Sequence, residues 1–490
     1  MNPLLYTDGY KVDHRRQYPD QTTLVYSNWT PRKSRMEDVN EVMFFGLQYF
    51  IKKYVMETFN TDFFSKPKEE VCKAYARRIN NYLGPNQVGI KHIEALHDLG
   101  YLPIVIKALP EGVSVPLRVP MLTMYNTLSE FYWLTNYFET LLSTTLWLPC
   151  TSATIAKQYR TMLDQYALET SSLADFVDWQ GHDFSMRGIG GLEGALLSAS
   201  GHLLNFKGTD TIPAIDFLET YYNADSDKEL IGGSVAATEH SVMCMGTNAG
   251  EEDTFRRLIT EVYPGGIISV VSDTWDLWKV LTEYLPNLKQ EVLARDGKLV
   301  IRPDSGDPTD IICGNPKAKT EAEQKGVVQL FWETFGGTIN HKGYKELDPH
   351  IGAIYGDSIT LDRAKGICEG LKQNGFASTN VVLGIGSFTY QFNTRDTFGF
   401  AMKATYGEVN GEGREIYKDP ITDDGTKKSA KGLIKIEKED GCYRLIDQVS
   451  WDEEQQGELR EVFKDGKLLI DDTLKAIRAR VVDHQCAMCF

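Results

Sequence analysis

Glu239 and His240 stand side by side in GGSVAATEHSVM (232–243), at the end of a run of small residues. Imidazole titrates near neutrality and can serve as base, metal ligand, phosphate acceptor or core filler, so the pair alone selects no chemistry. More can be read from VIRPDSGDP (300–308), where Arg302 and Asp304 flank Pro303. The fixed φ of proline removes freedom from the chain at that point. A guanidinium held there can grip a phosphate or diphosphate with paired hydrogen bonds. The neighbouring carboxylate can hold a sugar diol or a magnesium ion carried by the phosphates. A plain surface ion pair is the other reading of the same two residues.

Further stretches carry related chemistry. In GIGSFTYQFNTRD (384–396) the turn at Gly386 and Ser387 leaves backbone N–H groups free to face an anion, and Arg395 can close on the same phosphate. YGD (355–357) adds a close backbone approach at Gly356 and a carboxylate at Asp357. HDFSMRG (182–188) offers the flat face of Phe184, with Arg187 three residues on; taken by itself Phe184 reads as a core residue. In NFKGTDT (205–211) the carboxylate of Asp210, flanked by threonines, can accept from an amide NH2.

These residues need elements to hold them. From about residue 205, short apolar runs each end in Asp, Gly or Ser: IISVVSD (267–273), KLVIRPDSG (298–306), IGAIYGD (351–357) and VVLGIGS (381–387). Helical patterns such as TWDLWKVLTEYL (274–285) and LDRAKGICEGLKQ (361–373) lie between them. That alternation predicts βαβ units and a parallel sheet, with ligands at the strands' C-terminal ends. An irregular barrel is favoured over an open sheet. The first third reads as helical: Phe44, Leu47, Phe50, Ile51 and Val55 recur at helical intervals in 41–59, and the aromatic-rich stretch 129–148 is expected to be buried. CGNPKAKTEAEQKG (313–326) and the Gly-, Asp- and Lys-rich 406–432 read as loops or insertions, and 433–447 as a hairpin turning at an Asp-Gly.

Composition narrows the class. With 490 residues, two or three domains are expected. A net charge of −16 argues against nucleic acid or an anionic membrane surface as the main partner, while leaving room for local phosphate sites. No secretory leader and no apolar run of about 20 residues is visible, so no membrane span is expected. The eight cysteines show no framework spacing, and the CxxC of Cys486 and Cys489 has no second pair to complete a zinc site. Reduced thiols in a cytoplasmic protein are the simplest account.

Taken together, these stretches resemble the nicotinamide phosphoribosyltransferases, of the type II phosphoribosyltransferase family. LLYTDGYKVDHRRQYP (4–19), FFGLQYF (44–50), NFKGTDT (205–211), SVAATEHS (234–241), SVVSDTWD (269–276), IRPDSGDP (301–308), YGDSI (355–359), TRD (394–396) and YKDP (417–420) follow the family's order. The resemblance implies an irregular α/β barrel (151–400) packed on a second α+β domain built from residues 1–150 and 401–490, with active sites shared across a homodimer. The implied reaction joins nicotinamide to 5-phosphoribosyl 1-diphosphate with Mg2+, and ATP is hydrolysed through a phosphohistidine.

Carried over by position, the resemblance makes His240 the phosphate acceptor beside Glu239, with Asp273 orienting it or sharing the metal with Asp304. Phe184 would stack on one face of nicotinamide and Tyr10, from the partner subunit, on the other. Asp210 would take the carboxamide. Arg187, His240 and Arg302 would surround the diphosphate. Asp304, Gly356 and Asp357 would hold the ribose, and Ser387 and Arg395 its 5-phosphate. Ser234, Ser269, Pro303 and Gly386 are further substrate contacts, and Arg32, Lys403, Lys418 and Lys427 supporting cations. Where the family carries GSGGG, this chain has GIGSF (384–388), and 313–326 has no clear counterpart. Two rival readings remain open on the residues: a nicotinate phosphoribosyltransferase, and a non-catalytic nucleotide sensor.

Overall fold

The computed structural model describes residues 1–418 and 430–486, with side chains as far as residue 482. The chain divides into two units. One comprises Met1–Thr154, Phe217–Asp225 and Asn393–Phe490, the other Ile155–Asp216 and Ser226–Phe392. Against the expected cuts at 150 and 400, the first division falls inside the helix Glu139–Thr170. The piece 217–225 goes with the terminal segments because Gln48 and Lys52 hydrogen-bond the carbonyl of Tyr221.

The second unit is built on seven strands: β1 Gly181–Asp183, β2 Gly208–Thr209, β3 Ala236–Ala237, β4 Gly265–Val271, β5 Asp296–Arg302, β6 Ile351–Tyr355 and β7 Val381–Ile385. Every pairing in this sheet is parallel, in the order β2-β1-β7-β6-β5-β4-β3. The four apolar runs of the sequence are β4 to β7. Val270, Val271, Leu299, Ile301, Ile354 and Leu383 are buried, as strands covered on both faces require. The edges curl toward each other, since Gly208 of β2 bridges Gly233, three residues before β3. The irregular α/β barrel expected from the sequence is therefore present, and the helix Leu361–Gln373 follows β6 over the residues whose periodicity marked it.

The first unit holds a seven-stranded antiparallel sheet in the order 412–415, 401–409, 22–30, 122–126, 104–108, 460–464, 467–468. Two expectations need correction here. Residues 41–59 do not form one helix: Glu41–Met43 is a strand, and helix begins at Leu47 after Gly46 turns the chain at φ +106°. The carbons of Pro149 pack against Gly46 closely enough that a side chain there would collide. Nor is 406–432 a loop throughout, because Ala401–Val409 pairs with Glu412–Glu415. Its turn, Asn410-Gly411, has φ +54° and +74°, a hairpin signal masked by the polar composition around it. The later hairpin is as expected, turning at Asp440-Gly441. The aromatic stretch is core, with Phe131, Trp133, Leu134, Tyr137, Phe138 and Leu142 buried in one apolar cluster.

Candidate active site

The reactive side chains of the barrel unit gather where its strands end. Backbone bonds pin those ends together: Ser272 N donates to Arg302 O (3.0 Å), Thr238 N to Ser269 O (2.9 Å), and Phe184 N to Ile385 O (3.0 Å). Beneath them lies Asp183, fully buried at the end of β1. Its carboxylate accepts from Ser185 N (3.0 Å), Ser185 Oγ (2.6 Å), Thr209 Oγ1 (2.8 Å) and Thr211 Oγ1 (2.7 Å). Buried polar oxygens are tolerated only when so satisfied. The network ties the loop after β1, with Phe184, to the loop after β2, with Asp210.

Two cavities meet here. One, of about 870 Å3, is lined by Arg187, Glu239, Asp304, Asp357 and Ser387 among others. The second, of about 520 Å3, extends along the strands past Ser234 and Ser269 toward Lys298 and Glu346. Phe184, Asp210 and Arg302 line both. A polar chamber thus opens into an apolar channel, with an aromatic ring, a carboxylate and a guanidinium at the junction.

The polar chamber gathers guanidinium and carboxylate groups. Arg302 is held by its Nη2 bond to Thr238 O (2.8 Å), and its Nε lies 3.3 Å from Asp304 Oδ2. Burial pushes the Asp304 carboxyl up; Arg302 opposes the shift, and the charges of Asp273 and Asp357 add to it. Oδ1 of Asp304 is buried without a hydrogen-bond partner. A Cβ at Gly356 would lie 2.6 Å from that oxygen, so the glycine keeps the approach open. Pro303, between Arg302 and Asp304 in the chain, is buried.

His240 opens a short helix (His240–Met245), half-exposed, with Nε2 3.1 Å from Asp273 Oδ1. Asp273 Oδ2 accepts from Asp304 N (3.0 Å) and Ser305 Oγ (2.6 Å), so both of its oxygens are engaged. Glu239 accepts from Ser241 Oγ. Ser387 starts a helical turn after Gly386, with its Oγ against the bare α-carbon of Gly188.

At the junction, Asp210 Oδ1 accepts from His182 Nε2 (2.8 Å) and Ser234 Oγ (2.7 Å). Burial raises its carboxyl, but those two hydrogen bonds and the charges of His182 and Arg302 outweigh it, holding the group below the usual carboxylate range. Ser269 is buried, and its Oγ has no partner. His182, Asp183, Thr238 and Ser305 do not stand out in the sequence. The only signal is that they flank residues that do, at strand ends.

The remaining candidates belong to the first unit. Tyr10 is 63% exposed, its ring edge-on to His14 at 5.2 Å. Lys11 is buried and pairs with Glu139 at 2.6 Å. Burial lowers the Lys403 ammonium, Glu139 opposes, and Arg32, Lys11 and Lys418 add to the lowering, so these cations form one cluster. Arg32 Nε donates to Gly399 O, and Arg395 pairs with Asp396. Lys427 lies outside the described residues.

Among the described residues no group of three or more His, Cys, Asp or Glu could hold a metal ion alone, and no helix is long and apolar enough to cross a membrane.

A sequence model of the nicotinate phosphoribosyltransferase (NAPRTase) family matches residues 179–467, and one of the nicotinamide phosphoribosyltransferase N-terminal domain matches residues 2–106. The chain is 54% identical to nicotinamide phosphoribosyltransferase of Acinetobacter baylyi, over 99% of this chain and 98% of that one. It is 38% identical to nicotinamide phosphoribosyltransferase of Mycoplasma pneumoniae, over 88% and 94%. Among solved structures, nicotinate-nucleotide pyrophosphorylase from Pyrococcus furiosus superposes with TM-score 0.58 at 13% identity, covering 100% of this chain and 97% of that one. Human nicotinic acid phosphoribosyltransferase does so with TM-score 0.57 at 14% identity, covering 99% and 94%. At such identities the likeness is one of fold.

Proposed function

The chain belongs to the nicotinamide phosphoribosyltransferases of the nicotinate phosphoribosyltransferase family, and from that membership we propose that it transfers the phosphoribosyl group of 5-phosphoribosyl 1-diphosphate to nicotinamide. The products are nicotinamide mononucleotide and diphosphate, a step of NAD salvage. One observation carries the acceptor choice. Asp210, with Oδ1 taken by two donors, has Oδ2 left to accept from a carboxamide beside the ring of Phe184.

In the reaction the C1–oxygen bond to diphosphate breaks and its electron pair leaves with the diphosphate. The pyridine nitrogen's lone pair forms the new bond to C1. Positive charge grows on the sugar and negative charge on the leaving group, so positioned cations accelerate the step without a side-chain nucleophile. Arg302, held by Thr238 O, and Arg187 on the chamber wall supply that charge. Asp304 and Asp357 are placed for the ribose hydroxyls, and backbone N–H groups at Gly386 and Ser387 for the 5-phosphate.

The donor set suits magnesium that arrives with the diphosphate. Asp304 offers a hard oxygen without a partner, and Asp357 lines the same chamber. When bound, the ion adds charge stabilisation at the leaving oxygens.

ATP hydrolysis is assigned to His240. Its Nε2 is engaged by Asp273, which supports Nδ1 as the nitrogen that accepts the phosphoryl group. The Tyr10 ring and the Arg32–Lys403–Lys418 cluster are assigned to the partner subunit's site in a homodimer. Six free cysteines among the described residues support a cytoplasmic setting. The test is diphosphate release on mixing the protein with donor and either nicotinamide or nicotinate, with and without ATP. Release that does not depend on a pyridine, or that prefers nicotinate, rejects the reading.

A further inference from the structure

The imidazole of His182 has no part in the chemistry above, yet it touches the group on which acceptor choice rests. Three contacts fix it. Its ring lies 4.6 Å from that of Phe184, tilted by 48°. Its Nε2 is 2.8 Å from Asp210 Oδ1. On the opposite side its Nδ1 faces the bare α-carbon of Gly208, where a Cβ would come within 2.6 Å.

The parallel register explains the arrangement. His182 pairs with Gly208 across β1 and β2, so the residue two positions beyond Gly208 is carried to the far edge of the ring. An ionised carboxylate only accepts hydrogen bonds, so His182 donates from Nε2. Ser234 Oγ reaches the same oxygen from the segment before β3. With both donors on Oδ1, rotation of the carboxylate is blocked and Oδ2 is left without a described partner.

We propose that His182 is the positioning residue for acceptor choice: its Nε2–H, with Ser234, locks Asp210 so that Oδ2 faces the carboxamide of the acceptor. This rests on the transferase reading given above. A directed carboxylate recognises the NH2 of a pyridine carboxamide and repels a pyridine carboxylate. A carboxylate free to swing can turn away from the second as easily as from the first. His182 thus acts on specificity through Asp210.

Steady-state kinetics of three variants test this. His182→Phe keeps a flat ring and removes the donor. His182→Gln keeps a donor at similar reach. Gly208→Ala keeps the imidazole and displaces it. For His182→Phe and Gly208→Ala we expect the KM for nicotinamide to rise about tenfold, the order expected for one hydrogen bond to a charged group. The KM for 5-phosphoribosyl 1-diphosphate should stay unchanged, and the ratio of nicotinate to nicotinamide efficiency should rise. His182→Gln should recover most of the loss. An unchanged nicotinamide KM in folded His182→Phe overturns the proposal. So does an equal loss in the Phe and Gln variants for both substrates, which assigns His182 to the fold alone. Wild-type protein that uses neither pyridine overturns the transferase reading, and this proposal falls with it.

Discussion

At the scale of the residue, the proposed acceptor choice turns on one carboxylate. Nicotinate would bring its own carboxylate against Asp210, which is held ionised by His182, Ser234 and Arg302. Two like charges ~4 Å apart at an effective dielectric near 20 repel by about 4 kcal/mol, roughly a thousandfold in binding. We therefore expect Asp210→Ser to lower nicotinamide efficiency and to relax the exclusion of nicotinate, read from kcat/KM for both pyridines. Equal wild-type efficiencies would remove Asp210 from this role. His240 invites a different experiment. Sugar transfer uses the donor's own leaving group, so His240→Ala should abolish ATP hydrolysis while leaving basal transfer about 100-fold slower, the loss typical of one charge-stabilising contact. ATP hydrolysis at the wild-type rate in that variant would exclude the phosphohistidine.

At the scale of the element, the first unit is joined from distant pieces of chain by buried polar groups. Gln48, on the helix starting at Leu47, donates to the carbonyls of Tyr221 and Asp472 and accepts from Asp472 N. Its own N–H donates to Glu111 (3.0 Å), while Arg480 donates to the Glu111 carbonyl. Burial pushes the Glu111 carboxyl up to about 7; the backbone bond from Gln48 opposes this and the charge of Asp472 adds to it. Between about pH 4.5 and 7 the folded protein thus holds a proton that the unfolded chain has released. Stability from this group is present below that window and is lost as pH rises through about 7. In Glu111→Gln the melting temperature should fall less than wild type between pH 5 and 8. Parallel curves for the two proteins would show that Glu111 does not titrate in that range.

At the scale of the whole molecule, the proposal needs two chains. Tyr10 and the cluster of Arg32, Lys403 and Lys418 belong to one unit, and Phe184, Asp210 and Arg302 to the other. If each barrel is completed by its partner's first unit, Tyr10→Ala and Arg302→Ala chains should be inactive alone and complement when mixed. Random re-association puts half of the dimers in the mixed form with one intact site each, so about a quarter of wild-type activity should return. Sedimentation as a monomer, or no recovery after verified subunit exchange, would place both halves of the site in one chain.

Much of this molecule was legible in its order of residues. Apolar runs ending in Asp, Gly or Ser marked β4 to β7, because strands buried on both faces leave polar residues only at their ends. Arg302 and Asp304 pointed by type and spacing to phosphate, diol or magnesium chemistry, the family resemblance added Gly356 and Asp357 as ribose contacts, and the three-dimensional structure brings all four to one chamber. Other features depended on register and packing, which are properties of strands distant in sequence. The pairing of His182 with Asp210 spans 28 residues and exists only because β1 and β2 align His182 with Gly208. Two of the four donors on Asp183, Thr209 and Thr211, reach it through the same alignment. The helix expected from residue 41 begins at 47, because Gly46 must pass Pro149, about 100 residues away. Local pattern determined which residues could do the chemistry. Contacts between strands decided which of their atoms are engaged and which residues line one cavity.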